Sequence, residues 1–164
     1  MQYVMKQKLL SWGDDYYIKD KDGKDVYFVD GKAFSIGEQL SFQDLAGNEL
    51  AFIKQRVMSW GKTFEISHSG VVVATVKNDP LVLVQHQMTI EFPGTETNLD
   101  VQGSLGDHEY LIRRRGDIIA NVSKKWFTLA DTYGIDVRSS EDQVLLLAVA
   151  VVIDETYHSD HRRN

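Results

Sequence analysis

Ten consecutive residues near the end of this chain carry no polar side chain: Val144, Leu145, Leu146, Leu147, Ala148, Val149, Ala150, Val151, Val152 and Ile153. A helix made of them has no wet face, and a helix that is apolar all round has to lie inside something. Ser140 with Gln143 three positions later fits a reciprocal capping box. Glu141 and Asp142 then place negative charge where the helix dipole favours it. Val and Ile also favour strands, and the Val149–Ile153 half would suit a buried one. The acidic cap and the run length favour a helix. Ten residues cover about 15 Å as a helix, half of a hydrocarbon core of about 30 Å, so the run suits a protein interior better than a bilayer. Burying its Val, Leu and Ile side chains contributes on the order of 15–20 kcal/mol before entropic costs.

The 164 residues suit one domain, expected over 1–157, with 158–164 as a flexible tail. Lys and Arg number 18 against 24 Asp and Glu, a net charge of −6, which argues against a general nucleic-acid binder. The chain has no cysteine, so disulfides, zinc-thiolate sites and thiol nucleophiles are excluded. Met1 to Gln7 has no apolar signal core, and a cytoplasmic location is the expectation.

Ahead of the helix the chain reads as strand after strand. Turn signals such as Asp22-Gly23, Gly47-Asn48, Ser69-Gly70 and Arg115-Gly116 separate short runs rich in aromatic and β-branched residues. About twelve strands result, a spacing that predicts a sandwich or a barrel. A strand–turn–strand unit recurs. Lys6-Gln7-Lys8-Leu9-Leu10-Ser11-Trp12-Gly13 leading to Tyr16-Tyr17-Ile18 matches Lys54-Gln55-Arg56-Val57-Met58-Ser59-Trp60-Gly61 leading to Phe64-Glu65-Ile66. A weaker copy runs from Ser123 to Ile135, again with an aromatic, Tyr133, two places before an Ile. Repeated hairpins fit a closed antiparallel barrel, and closure removes exposed sheet edges. Such a barrel has an interior to fill, and the apolar helix fills it.

These Ser-Trp-Gly units, the Val26–Gly37 segment and the terminal apolar helix together resemble the LURP-one-related family. That family is grouped with Tubby C-terminal domains and phospholipid scramblases. The resemblance covers essentially the whole chain and implies a mainly β fold, a twelve-stranded barrel around a central C-terminal hydrophobic helix. It implies little about activity, because fold analogy is weak evidence for function. Tubby domains bind phosphoinositides through basic surface residues, but no Tubby-specific lipid motif stands in this sequence.

Basic residues are the leading surface candidates. Strand alternation puts Lys6 and Lys8 on one face, opposite Met5, Gln7 and Leu9. The repeat gives Lys54 and Arg56 the same placement, and Lys125 takes the position of Lys8 in the third copy. Arg113, Arg114 and Arg115 precede the Gly116-Asp117 turn. Together these could bind a phospholipid head group or another phosphate. The plainer reading is a solvated outer face that discourages sheet aggregation. Trp12, Trp60 and Trp126 are expected to pin barrel corners, and Gln7 and Gln55 to be satisfied interior amides.

Catalytic and metal signals are poor. Gly61-Lys62-Thr63 resembles the end of a phosphate loop, but Arg56 stands where glycine is required. Asp20 to Asp25 misses the calcium-loop register. His158, Asp160 and His161 sit in the expected tail. The sequence thus points to a non-enzymatic binding domain without a cofactor, whose partner is a protein or an anionic phospholipid. The alternative is a small-molecule carrier or enzyme with a pocket at a barrel end.

Overall fold

The structure is a computed structural model, and it describes residues 1–7, 15–31, 36–57, 59, 61–78, 85–104, 109–124 and 132–157. Among these lie twelve strands and one helix: β1 (Gln2–Gln7), β2 (Tyr16–Asp20), β3 (Asp25–Gly31), β4 (Gln39–Asp44), β5 (Glu49–Gln55), β6 (Thr63–His68), β7 (Val71–Asn78), β8 (Gln85–Glu91), β9 (Leu99–Ser104), β10 (Glu109–Arg114), β11 (Asp117–Ser123), β12 (Thr132–Val137) and α1 (Gln143–Tyr157). Each strand pairs antiparallel with the next, and β1 pairs with β12, so the barrel closes. The three repeat copies fall on the β1–β2, β5–β6 and β11–β12 pairs. Their shared aromatics Tyr16, Phe64 and Tyr133 all point inward and are buried.

Period-two alternation sorts each strand. On β5, Ala51 and Ile53 are buried while Lys54 is exposed; on β10, Tyr110 and Ile112 are buried. The inward set meets α1 in the lumen. The helix packs on β5, β6 and β7 and also on β12, strands from different sides of the ring. Leu146 to Ile153 are all at most 1% exposed.

Three features of α1 differ from the sequence expectation. First, its cap is Asp142, not a Ser140–Gln143 box. The Leu145 N–H donates to Asp142 Oδ1 at 3.0 Å. Ser140 lies in the turn after β12, and Gln143 Nε2 instead donates to the carbonyls of Arg138 and Glu141. Second, Val144 and Leu145 are only half-buried. Third, the buried stretch runs on past the apolar run through Asp154, Glu155 and Thr156. No helix among the described residues is long and apolar enough to cross a membrane.

β12 is an even-numbered strand, and α1 starts just beyond its end. That barrel end, here the entry end, therefore also holds the turns that follow every other even-numbered strand. The last turn of α1 lies at the opposite, far end.

Candidate functional site

The entry end is shaped by irregular hairpins. The β6–β7 turn, Ser69-Gly70, has φ of 50° and 79°, and the β10–β11 turn, Arg115-Gly116, has 50° and 91°. Positive φ at both central residues matches the twist of the flanking strands. Glycine adopts it freely at the second position, while Ser69 and Arg115 adopt it at the first against the usual preference of L residues. Register slips beside the turns. Phe42 pairs with Ala51 but Gln43 with Glu49, which leaves Leu50 as an extra residue. Ile66 pairs with Ala74 but Ser67 with Val72, which leaves Val73 extra. By the same count Val26 and Ile119 are extra on β3 and β11. Each bulge places an apolar side chain outside the regular alternation, and a bulge re-aims the residue it carries.

Leu50 and Val73 are two walls of a cavity of about 590 Å³ at this end. Ala51, Ile66, Phe92, Val144 and Leu145 complete its apolar lining. The half-buried first turn of α1 is thus one side of the pocket. His68 and Asp142 are its polar lining groups, and both are exposed. His68 Nδ1 lies 2.7 Å from the Leu50 carbonyl oxygen. A ligand site of this kind, mostly apolar with a few placed polar groups, commonly spans roughly 300–1,000 Å³.

The far end has a different chemistry. Tyr16 OH lies 2.8 Å from Asp154 Oδ2 and 2.5 Å from Glu155 Oε1, and Tyr133 OH donates to Asp154 Oδ1. Asp154 and Glu155 are at most 1% exposed, so these phenols do the work that water does elsewhere. Burial, and then the two carboxylates, raise the Tyr16 pKa well above the ordinary phenol value. Tyr110 and Tyr157 stack with ring centroids 5.7 Å apart, and burial raises both their pKa values as well. Lys62 Nζ donates to the carbonyls of Glu155 and Thr156 at 3.3 and 3.2 Å, where a helix leaves acceptors unmatched. The lysine that ended the partial phosphate loop is therefore a helix-end partner.

The basic candidates are dispersed. Lys6 faces outward on β1, while Lys54 and Arg56 belong to β5 and its end, four strands away around the ring. Lys8 and Lys125 lie outside the described residues, as do Trp12, Trp60 and Trp126. Arg113, Arg114 and Arg115 sit at the entry end, away from Lys54. Arg113 Nη1 donates to the Gly116 carbonyl, Arg115 Nη2 to Thr97 Oγ1, and Arg114 pairs with Glu141 at 2.8 Å. Lys54 and Arg56 line a shallow groove of about 550 Å³ with Ile36, Val57, Gln55 and Glu65. Arg56 Nε is 3.6 Å from Glu65 Oε1, a half-exposed pair. Gln55 Oε1 accepts the Glu38 N–H, but the side chain is half-buried and lines this groove rather than the closed interior.

The arrangement defines a class: a closed antiparallel barrel that holds an apolar helix in its lumen and opens a small apolar pocket where that helix begins. The chain belongs to the LURP-one-related family, whose model matches residues 1–154. It is 29% identical over 163 residues to the uncharacterized protein YxjI of Bacillus subtilis (strain 168), covering 98% of this chain and 96% of that one. Its fold is similar to the X-ray structure of a protein from Arabidopsis thaliana, with a TM-score of 0.68, 14% identity, and 94% and 90% of the two chains covered.

Proposed function

We propose that this protein is a non-enzymatic binding domain that takes a small, mainly apolar ligand into the entry-end pocket. The observation that supports this is the pocket itself, built by two bulge residues, Leu50 and Val73, and the first turn of α1. Apolar surface left open in a cavity gains by covering, at about 25 cal/mol per Å² removed from water. A non-enzymatic role accords with the lack of cysteine, of a complete phosphate loop and of a nucleophile–base pair at a telling spacing. The cytoplasmic setting expected from the sequence belongs to the same proposal.

The test is titration with a neutral apolar dye. Val73→Trp fills the pocket from a strand position that accepts aromatics. It should weaken binding by about tenfold or more, since each 1.4 kcal/mol is tenfold. Val71→Trp, on an exposed residue outside the lining, should leave binding unchanged. Equal binding by Val73→Trp and the parent would count against the pocket.

A second reading is supported by the other groove. Exposed Ile36 and Val57 lie beside Lys54 and Arg56, a pairing of apolar and cationic groups that suits an anionic lipid surface.

A further inference from the structure

We infer that the entry-end pocket selects ligands whose apolar body ends in a hydrogen-bond-donating head, a primary ammonium above all, and disfavours carboxylates of the same length. This rests on reading the pocket as a binding site and adds the chemistry of the head group.

The body of the ligand is set by side chains that offer no hydrogen bond, among them Leu50, Ile66, Val73, Phe92 and Leu145. Head-group preference falls to the two polar lining residues, and both present acceptors. A carbonyl oxygen can only accept, so the 2.7 Å contact with Leu50 O requires the proton to sit on His68 Nδ1. In the neutral ring Nε2 is then a bare acceptor. Asp142 is acceptor-only as a carboxylate. Its Oδ1 receives the Leu145 N–H at 3.0 Å, and the cap makes no use of Oδ2.

A helix start ordinarily favours an anion. Here Asp142 already supplies that negative charge from within the chain, so an incoming carboxylate meets a carboxylate. Neighbouring Glu141 is paired with Arg114 at 2.8 Å, which matches that cation with its own counter-charge. The overall charge of −6 acts in the same direction. A donor head finds acceptors, and a cationic head also finds Asp142.

The experiment compares octylammonium, 1-octanol and octanoate by calorimetry. It is run at 0.15 M salt and about pH 8.5, above the ordinary imidazole range and below the ordinary ammonium range. Salt at that level screens exposed charges beyond about 8 Å, so a remaining preference is local. Octylammonium should bind about tenfold or more tightly than octanoate, with octanol between them. Asp142→Asn keeps a good N-cap residue, so the helix start is retained. It should bring the two charged ligands to within about threefold of each other. Binding blocked by Val73→Trp but with octanoate equal or tighter would overturn the head-group selection and leave the pocket standing. An ammonium preference unchanged in Asp142→Asn would overturn it as well. Failure of all three ligands to bind would overturn both this inference and the pocket reading beneath it.

Discussion

Tyr16, the first residue of β2, reaches across the barrel lumen to Asp154 of α1, its phenol oxygen 2.8 Å from Oδ2. The two are 138 positions apart in the chain, and both are fully buried. An acidic residue at that depth holds its place only if hydrogen bonds replace lost hydration. Tyr16→Phe removes the hydroxyl and leaves the ring. It should cost about 1.5–3 kcal/mol of stability, the usual worth of a hydrogen bond to a charged group. Tyr17→Phe, on the exposed neighbour, should change stability by less than about 0.5 kcal/mol. Urea denaturation of both variants measures the contrast, and equal midpoints would deny Tyr16 its special place.

Alkaline pH probes the same cluster. Tyr16, Tyr110 and Tyr157 all have folded-state pKa values above the ordinary phenol value, with burial the largest cause. Once pH passes about 10, the unfolded chain releases these protons while the folded chain keeps them, so stability falls as pH rises. Below that point these groups contribute no slope. Phenolate absorbance of the native protein should show at least these three tyrosines silent until the fold is lost. Their titration in the still-folded protein near pH 10 would contradict the burial.

The helix in the lumen was legible because ten apolar residues leave no other place for it. The barrel was legible because the Lys6–Ile18 and Lys54–Ile66 copies repeat a hairpin. The far-end cluster was not read, although its signal lay in the same repeat: an aromatic two places before an Ile, which is Tyr in two copies and Phe in one. Asp154 and Glu155 follow the apolar run as bare acidic residues, and one sequence shows their charge and not the phenols that meet it. A pocket at a barrel end stood only as the alternative, and neither which end nor which residues build it was readable. It depends on register slips that leave Leu50 and Val73 unpaired, and nothing local marks either residue as a bulge. Dispersal of the basic residues likewise follows from ring position, since β1 and β5 lie four strands apart.

The apolar run makes the sharpest stability prediction. Leu146 is 1% exposed within the lumen, and Leu146→Asp places a charge there with no designed partner. Folding should be abolished. Leu45→Asp makes the same chemical change on a turn residue that is 59% exposed, and it should fold normally. Circular dichroism and a denaturation curve separate the two. A cooperatively folding Leu146→Asp protein would contradict the lumen placement of α1.

Lys54 and Arg56 supply the last prediction, and the geometry makes it specific. Each cation near an anionic surface is worth about 1 kcal/mol, so these two give only weak attachment. Exposed Ile36 and Val57 beside them can add apolar contact, while the net charge of −6 opposes binding. Attachment through this groove should appear as co-sedimentation with phosphatidylserine-rich liposomes at low salt and fade at high salt. Lys54→Glu with Arg56→Glu should abolish it, and Ile36→Asp should weaken it. Arg113→Glu with Arg115→Glu should change nothing, because those side chains bond to Gly116 and Thr97 at the other end of the barrel. Equal losses from both pairs of reversals would show that overall charge, rather than this groove, drives the contact. Absence of low-salt binding would remove the lipid reading and leave the entry-end pocket as the site of function.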